Sequence, residues 1–161
     1  MPATTPRRAG RTPRAGSRFL SDVLADNIRA WRLLRRLEQA EVASRMAKLD
    51  HTWGPSTVSQ VERGRRNITV DELLALAIAL SVPVWVLLDP LGPQGDNETP
   101  VDFGPAGTLA ANLVREWLTT NAVPRFDWSD TAGDAPPSRR LFIGPQGPRA
   151  PADSQKGGGA P

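Results

Sequence analysis

The sequence predicts an all-α domain of five short helices, set between a basic arm and a Pro/Gly-rich tail. Three observations carry that prediction. The 14 glycines and 16 prolines of the 161-residue chain crowd into residues 1–18 and 90–161, while 19–89 hold only Gly54, Pro55, Gly64 and Pro83. Between those limits apolar residues recur at spacings of three and four, the period of a helix face. Start and stop residues fall where helices of that length need them. The expected organisation is a disordered arm over 1–18, a helical domain over 19–90, and a tail over 91–161 with one short helix at 107–120. A core of about 70 residues is marginal but folds without disulfides or metals.

Leu20, Leu24, Ile28, Trp31 and Leu34 mark the first helix, which is expected to run to Arg36 with Ser21 as its N-cap and Asp22 in its first turn. The second fits Glu38 to Lys48. Val42, Ala43, Met46 and Ala47 form its apolar face, and Glu38 and Glu41 complement the positive end of its dipole. The third lies in "GPSTVSQVERGRRN": Pro55 suits the first helical position, where its missing N–H costs nothing, and Gly64 suits the left-handed residue past the end. The fourth opens on "TVDE", where Thr69 and Glu72 can form a capping box ahead of Leu73, Leu76, Ala77 and Leu80. A fifth, Val84 to Leu88, follows Pro83 and stops before Pro90. Beyond Leu91 the signals thin. "GTLAANLVREWLTTN" fits one amphipathic helix, and 131–161 read as disordered.

Composition excludes several functions. Without cysteine there is no disulfide, no thiol nucleophile and no thiolate metal site. No run approaches the roughly 18 apolar residues of a membrane span. The N-terminal arginines have no apolar stretch behind them, so no secretory signal is expected and the expected location is cytoplasmic. One histidine, His51, makes no metal site, and no glycine-rich phosphate loop or informative carboxylate pair is present. No catalytic residue, metal or cofactor is expected, and the protein is not read as an enzyme. Charge is uneven. Arg7, Arg8, Arg11, Arg14 and Arg18 stand without an acid in residues 1–18; residues 19–90 balance nine basic against nine acidic groups; residues 91–161 carry six against eight. A basic arm on a neutral core suits a polyanion, and it also suits a solubilising terminus.

The third helix poses the functional question, because Val58 and Val61 give it a narrow apolar stripe and the rest of its surface is polar. In a helix-turn-helix arrangement that surface enters the major groove. Gln can pair bidentately with adenine, and Ser and Thr can address bases or phosphates. Arg63, Arg65 and Arg66 follow where the chain would leave the groove and meet the DNA backbone.

These residues resemble a known family. "IRAWRLLRRLEQAEVASRM" followed by "STVSQVERGRRNITVDELLALAIALSV" is similar to the Cro-repressor-type (XRE-like) helix-turn-helix family over residues 22–89. The pattern combines "IRxxR", "QxxxA", "TVSxxExG" and "TVDELLALAxAL" in order. The resemblance implies a five-helix Cro/repressor-like domain that binds double-stranded DNA through helix 55–63, with Ser56, Thr57 and Gln60 at base-contacting positions. It places Gln39 at a phosphate, and Ser59 near phosphate or base beside Arg63, Arg65 and Arg66. It pairs Arg32 with Glu62 as a structural salt bridge, and it implies a homodimer. Arg7, Arg8, Arg11 and Arg14 would form a minor-groove arm. The helix 84–88 (Trp85, Leu87, Leu88) and residues 107–118 are candidate dimer surfaces or core. The link between the second and third helices is about five residues longer than the family's tight turn. It includes His51, Trp53 and Gly54; Trp53 packs in the core or lies on the DNA backbone, and the second helix is longer or the turn is a loop. Pro55 stands where the family has a long base-reading side chain.

The expected function is a sequence-specific transcriptional regulator, a repressor. The alternative is the antitoxin of a toxin–antitoxin pair, with the acidic tail and its "FDWSD" and "LVREWL" pieces holding the protein partner. An adaptor without DNA affinity would leave the polar third helix incidental.

Overall fold

The computed structural model describes residues 12–120, 123–126 and 141–144. Five helices come first: α1 (Leu20–Leu34), α2 (Gln39–Ala47), α3 (Pro55–Glu62), α4 (Val70–Leu80) and α5 (Val84–Leu88). Ile28, Val42, Met46, Val58, Leu76, Leu80 and Leu87 interlock in one core, with Leu24, Trp31, Leu73 and Trp85 packed at its edge.

Helix ends follow local chemistry. Thr69 Oγ1 accepts from the Glu72 N–H at 3.2 Å and Glu72 Oε2 accepts from the Thr69 N–H at 2.8 Å, the reciprocal box expected of "TVDE". Ser21, expected as the N-cap of α1, lies inside the helix; Asp22 instead closes the first turn by accepting from the Phe19 N–H at 3.3 Å. Nor does α1 reach Arg36. That residue turns to φ 54°, and the Leu37 N–H donates back to the Arg32 carbonyl at 3.0 Å, which wraps the helix end.

Residues 91–120, expected as the start of a tail with one short helix at 107–120, are folded onto the helices, and that helix is present. Strands β1 (Val101–Asp102) and β2 (Thr108–Leu109) pair antiparallel around a 3-10 turn, and α6 (Ala111–Thr119) follows. Val101, Leu109 and Val114 close a second apolar cluster against Val23 of α1, with Leu20, Phe103, Leu113 and Leu118 around it. Asp89 and Arg115 tie α6 to the end of α5, Arg115 Nε donating to both carboxylate oxygens at 3.0 Å. The boundary expected after residue 90 is therefore crossed by both apolar packing and an ion pair. Two-residue strands have no periodicity to reveal them, and their Gly- and Pro-rich surroundings imitate disorder.

The same module holds the near end of the arm. The Arg18 N–H donates to the Pro100 carbonyl at 3.0 Å and the Asp102 N–H to the Arg18 carbonyl at 2.9 Å. Arg14 donates from its backbone to Asp102 Oδ2 at 2.8 Å and from Nη1 to the Gly104 carbonyl at 2.7 Å. Arg14 thus anchors to the fold, which removes it from the free arm expected of it. Arg7, Arg8 and Arg11 lie outside the described residues. Farther on, β3 (Val123–Phe126) and β4 (Leu141–Gly144) pair antiparallel, Val123 opposite Gly144. The remainder of 121–161 lies outside the described residues. Among those described, no helix is long and apolar enough to cross a membrane.

Candidate nucleic-acid interface

Sequence sets both ends of α3. Pro55 occupies its first position and Gly54 precedes it in an extended conformation. Gly64 adopts φ +62°, with its N–H donating to the Val61 carbonyl at 2.9 Å and the Arg65 N–H to the Gln60 carbonyl at 2.9 Å. A side chain at that φ is strained, which is why glycine serves there. The inner face of α3 is Val58, Val61 and Glu62, all buried. Ser56, Gln60 and Arg63 lie outward at spacings of four and three and are exposed, as are Pro55 and Arg65; Thr57 and Ser59 are half-buried beside them. This outer surface has short hydroxyls, one amide and two cations, with no large apolar side chain.

A buried charge node holds the inner face. Arg32 of α1 grips Glu62 of α3 in a two-pronged pair, Nε to Oε1 at 2.5 Å and Nη2 to Oε2 at 3.1 Å. Arg32 Nη1 also donates to the Leu37 carbonyl at 2.9 Å. The Glu62 hydrogen bond raises the Arg32 pKa further above its usual value, against the opposing effect of burial. Gln39, the first residue of α2, donates Nε2 to Glu62 Oε2 at 2.9 Å. One carboxylate therefore locks α1, α2 and α3 together. That bond orients the Gln39 side chain and uses one of its two amide hydrogens.

The lengthened link is a loop, and α2 ends at Ala47. Asp50 turns to φ 63°, the His51 N–H donates to the Met46 carbonyl at 3.0 Å, and the Trp53 N–H to the His51 carbonyl at 2.8 Å. Trp53 is buried, resolving its two readings in favour of packing. Its indole N–H donates to Glu72 Oε1 at 3.0 Å. Arg66 Nη2 donates to the same oxygen at 2.6 Å, and its guanidinium carbon stands 4.9 Å from the centre of the Trp53 ring. Arg66 was expected at a DNA phosphate; the structure turns it inward, to Glu72 and the indole face. Residues on both sides of α3, Trp53 before it and Arg66 after it, thus meet on one carboxylate of α4. Burial pushes the Glu72 carboxyl up, but the bonds from Arg66, the Thr69 N–H and Trp53 outweigh it and hold the pKa at about 2.

With this geometry, known proteins provide a direct comparison. A family model described as helix-turn-helix matches residues 28–84, from the middle of α1 to the start of α5. The control protein C.SmaI of Serratia marcescens is 34% identical over 78 residues, covering 48% of this chain and 87% of that protein. The chain belongs to the helix-turn-helix family. In its helix-turn-helix the two motif helices are α2 and α3, and the domain is that of a DNA-binding transcription regulator. Two solved structures are also similar. A hypothetical transcription factor, NHTF from Neisseria, is 36% identical with a TM-score of 0.39 over 47% of this chain and 78% of that one. The restriction-modification controller protein C.AhdI from Aeromonas hydrophila is 29% identical with a TM-score of 0.37 over 42% and 94%.

Within the helix-turn-helix, the structure brings Ser56, Thr57, Ser59, Gln60, Arg63 and Arg65 onto or beside one face and Gln39 to the start of the neighbouring helix. Sequence reasoning missed the Trp53–Arg66–Glu72 cluster. Its signal was present in part: Glu72 was assigned to a cap, and a cap leaves one carboxylate oxygen for further donors.

Proposed function

We propose that this protein is a sequence-specific double-stranded-DNA-binding regulator that acts as a repressor and reads the major groove with α3. The observation carrying this reading is the division of α3 into a locked inner face and a polar, exposed outer one. Ser56, Thr57 and Gln60 address base edges, since short hydroxyls and an amide reach them without steric conflict. Ser59, Arg63 and Arg65 meet the backbone, joined by Gln39 at the positive end of α2. Arg7, Arg8 and Arg11 enter the adjacent minor groove from an arm anchored at Asp102 by Arg14. A single α3 covers one half-site, so the working form is a homodimer on two half-sites one helical turn apart, in the cytoplasm. The relative's printed name, a control protein, supports a regulatory role.

Of the two segments in the antitoxin alternative, "LVREWL" packs in part on the fold, with Val114 buried and Arg115 held by Asp89, and residues 127–130 of "FDWSD" lie outside the described residues.

The salt dependence of binding tests the phosphate roles. Arg63→Ala and Arg65→Ala should each weaken binding to all sequences alike and reduce the slope of log K against log salt by about 0.9. Arg66→Ala should leave the slope unchanged while lowering stability. Unchanged slopes for Arg63→Ala and Arg65→Ala would remove both residues from the backbone contacts.

A further inference from the structure

Pro55 opens α3 and is exposed, so its ring stands outside the core. Helix geometry accounts for its backbone, since a missing N–H costs nothing at the first helical position. It does not account for an uncovered apolar ring on a surface otherwise made of hydroxyls, an amide and cations. The ring is also firmly held from both sides. Two residues earlier Trp53 is buried, with its indole N–H donating to Glu72 Oε1 at 3.0 Å. The Gly54 carbonyl, between them, accepts from the Thr57 N–H at 2.9 Å and the Val58 N–H at 3.2 Å. Val58, three residues later, is fully buried. With its own φ fixed by the pyrrolidine, Pro55 is a rigid apolar edge set between two anchors in the core.

Position on the helix decides what that edge meets. In a helix-turn-helix on DNA, the N-terminal residues of the second motif helix reach the base edges. Helical rotation puts Pro55 and Gln60 on the two flanks of the outer surface of α3, with Ser56 and Ser59 between them. A proline side chain has no donor and no acceptor, so it discriminates by apolar contact alone. The major groove offers one projecting apolar group for such contact, the C5 methyl of thymine. We infer that Pro55 is a specificity-determining residue that reads a thymine methyl, while Gln60 of the same helix reads an adenine. The inference deepens the proposed groove reading by α3 and rests on it. Five positions separate Pro55 from Gln60, an axial rise of about 7.5 Å. That rise matches about two base-pair steps of roughly 3.4 Å, so each half-site should hold the thymine and the adenine about two steps apart.

Deoxyuridine differs from thymidine only by that methyl, so the test is made on the DNA with the protein intact. A site enriched by the full wild-type chain from random-sequence duplex is remade with each thymine replaced in turn by deoxyuridine, and affinity is measured at fixed salt. One thymine in each half-site should prove sensitive, with binding about fourfold weaker for each methyl removed, the ratio for one buried carbon group. Pro55→Ser takes away the ring. It should keep wild-type helical content, bind thymine and deoxyuridine equally at the sensitive position, and retain the adenine preference assigned to Gln60. Two results would overturn the inference and leave the groove reading untouched. One is an enriched site in which no thymine responds to deoxyuridine. The other is a sensitive thymine that stays equally sensitive in Pro55→Ser. A wild type that enriches no sequence would overturn both the inference and the groove reading it rests on.

Discussion

Glu62→Ala is expected to lower the unfolding free energy by about 3–5 kcal/mol, the cost of leaving a buried guanidinium without its partner. The pair it breaks is two-pronged and enclosed, with side-chain exposures of 10% for Arg32 and 4% for Glu62. The variant also frees Gln39 and loosens α3 against α1 and α2, so DNA selectivity should fall along with stability. A double variant, Arg32→Met with Glu62→Leu, separates the two effects. Replacing a buried pair by apolar groups of similar size is often neutral in stability. Its fold should recover most of the loss, but Gln39 remains without its acceptor and phosphate-dependent affinity should stay reduced. Urea unfolding gives the first quantity and binding at fixed salt the second. A single-variant cost below about 1 kcal/mol, the ordinary value for an exposed ion pair, would contradict the buried-node account.

Glu72→Gln should cost about 3 kcal/mol at neutral pH, from the difference between the usual 4.5 and the folded value of about 2. The native state holds this carboxylate charged, so the unfolded chain takes up its proton first as pH falls. The contribution is complete above about pH 5, shrinks as pH drops through 4.5 toward 2, and is lost below both values. Unfolding measured at pH 7 and again near pH 3 should therefore show a gap between wild type and Glu72→Gln that narrows in acid. An equal gap at both pH values would mean that the cost comes from packing rather than from the charge. Trp53, before α3, and Arg66, after it, both reach Glu72, so the carboxylate ties the two ends of α3 to α4.

The sequence located the five helices because each carried both a periodic face and a punctuating residue. Thr69 with Glu72, Pro55, Gly64 and Pro83 all stand where the chain starts or stops a helix. Errors arose where one of the two signals was missing. At the start of α1, Ser21 has the chemistry of an N-cap, yet Leu20 packs in the second apolar cluster and the helix begins there, with Phe19 at the N-cap position. Past residue 90, α6 was legible from the periodicity of "GTLAANLVREWLTTN", but the order of the two short strands comes from long-range bonds such as Arg14–Asp102 and Arg18–Pro100, which leave no local periodicity. In the site, outward residues of α3 could be read from polarity and spacing. Arg66 could not be told from Arg63 and Arg65 by composition, because what separates them is Trp53, thirteen positions earlier, and Glu72 on another helix.

Selection from random-sequence duplex DNA at fixed salt, comparing wild type with Ser56→Ala/Gln60→Ala, tests the central claim most directly. Both side chains are clear of the core, so the double variant should fold as wild type does. Wild type should enrich a two-fold-symmetric site, and the variant should lose that preference while keeping its nonspecific affinity. A variant that enriches the same site as strongly as wild type would contradict base reading by α3.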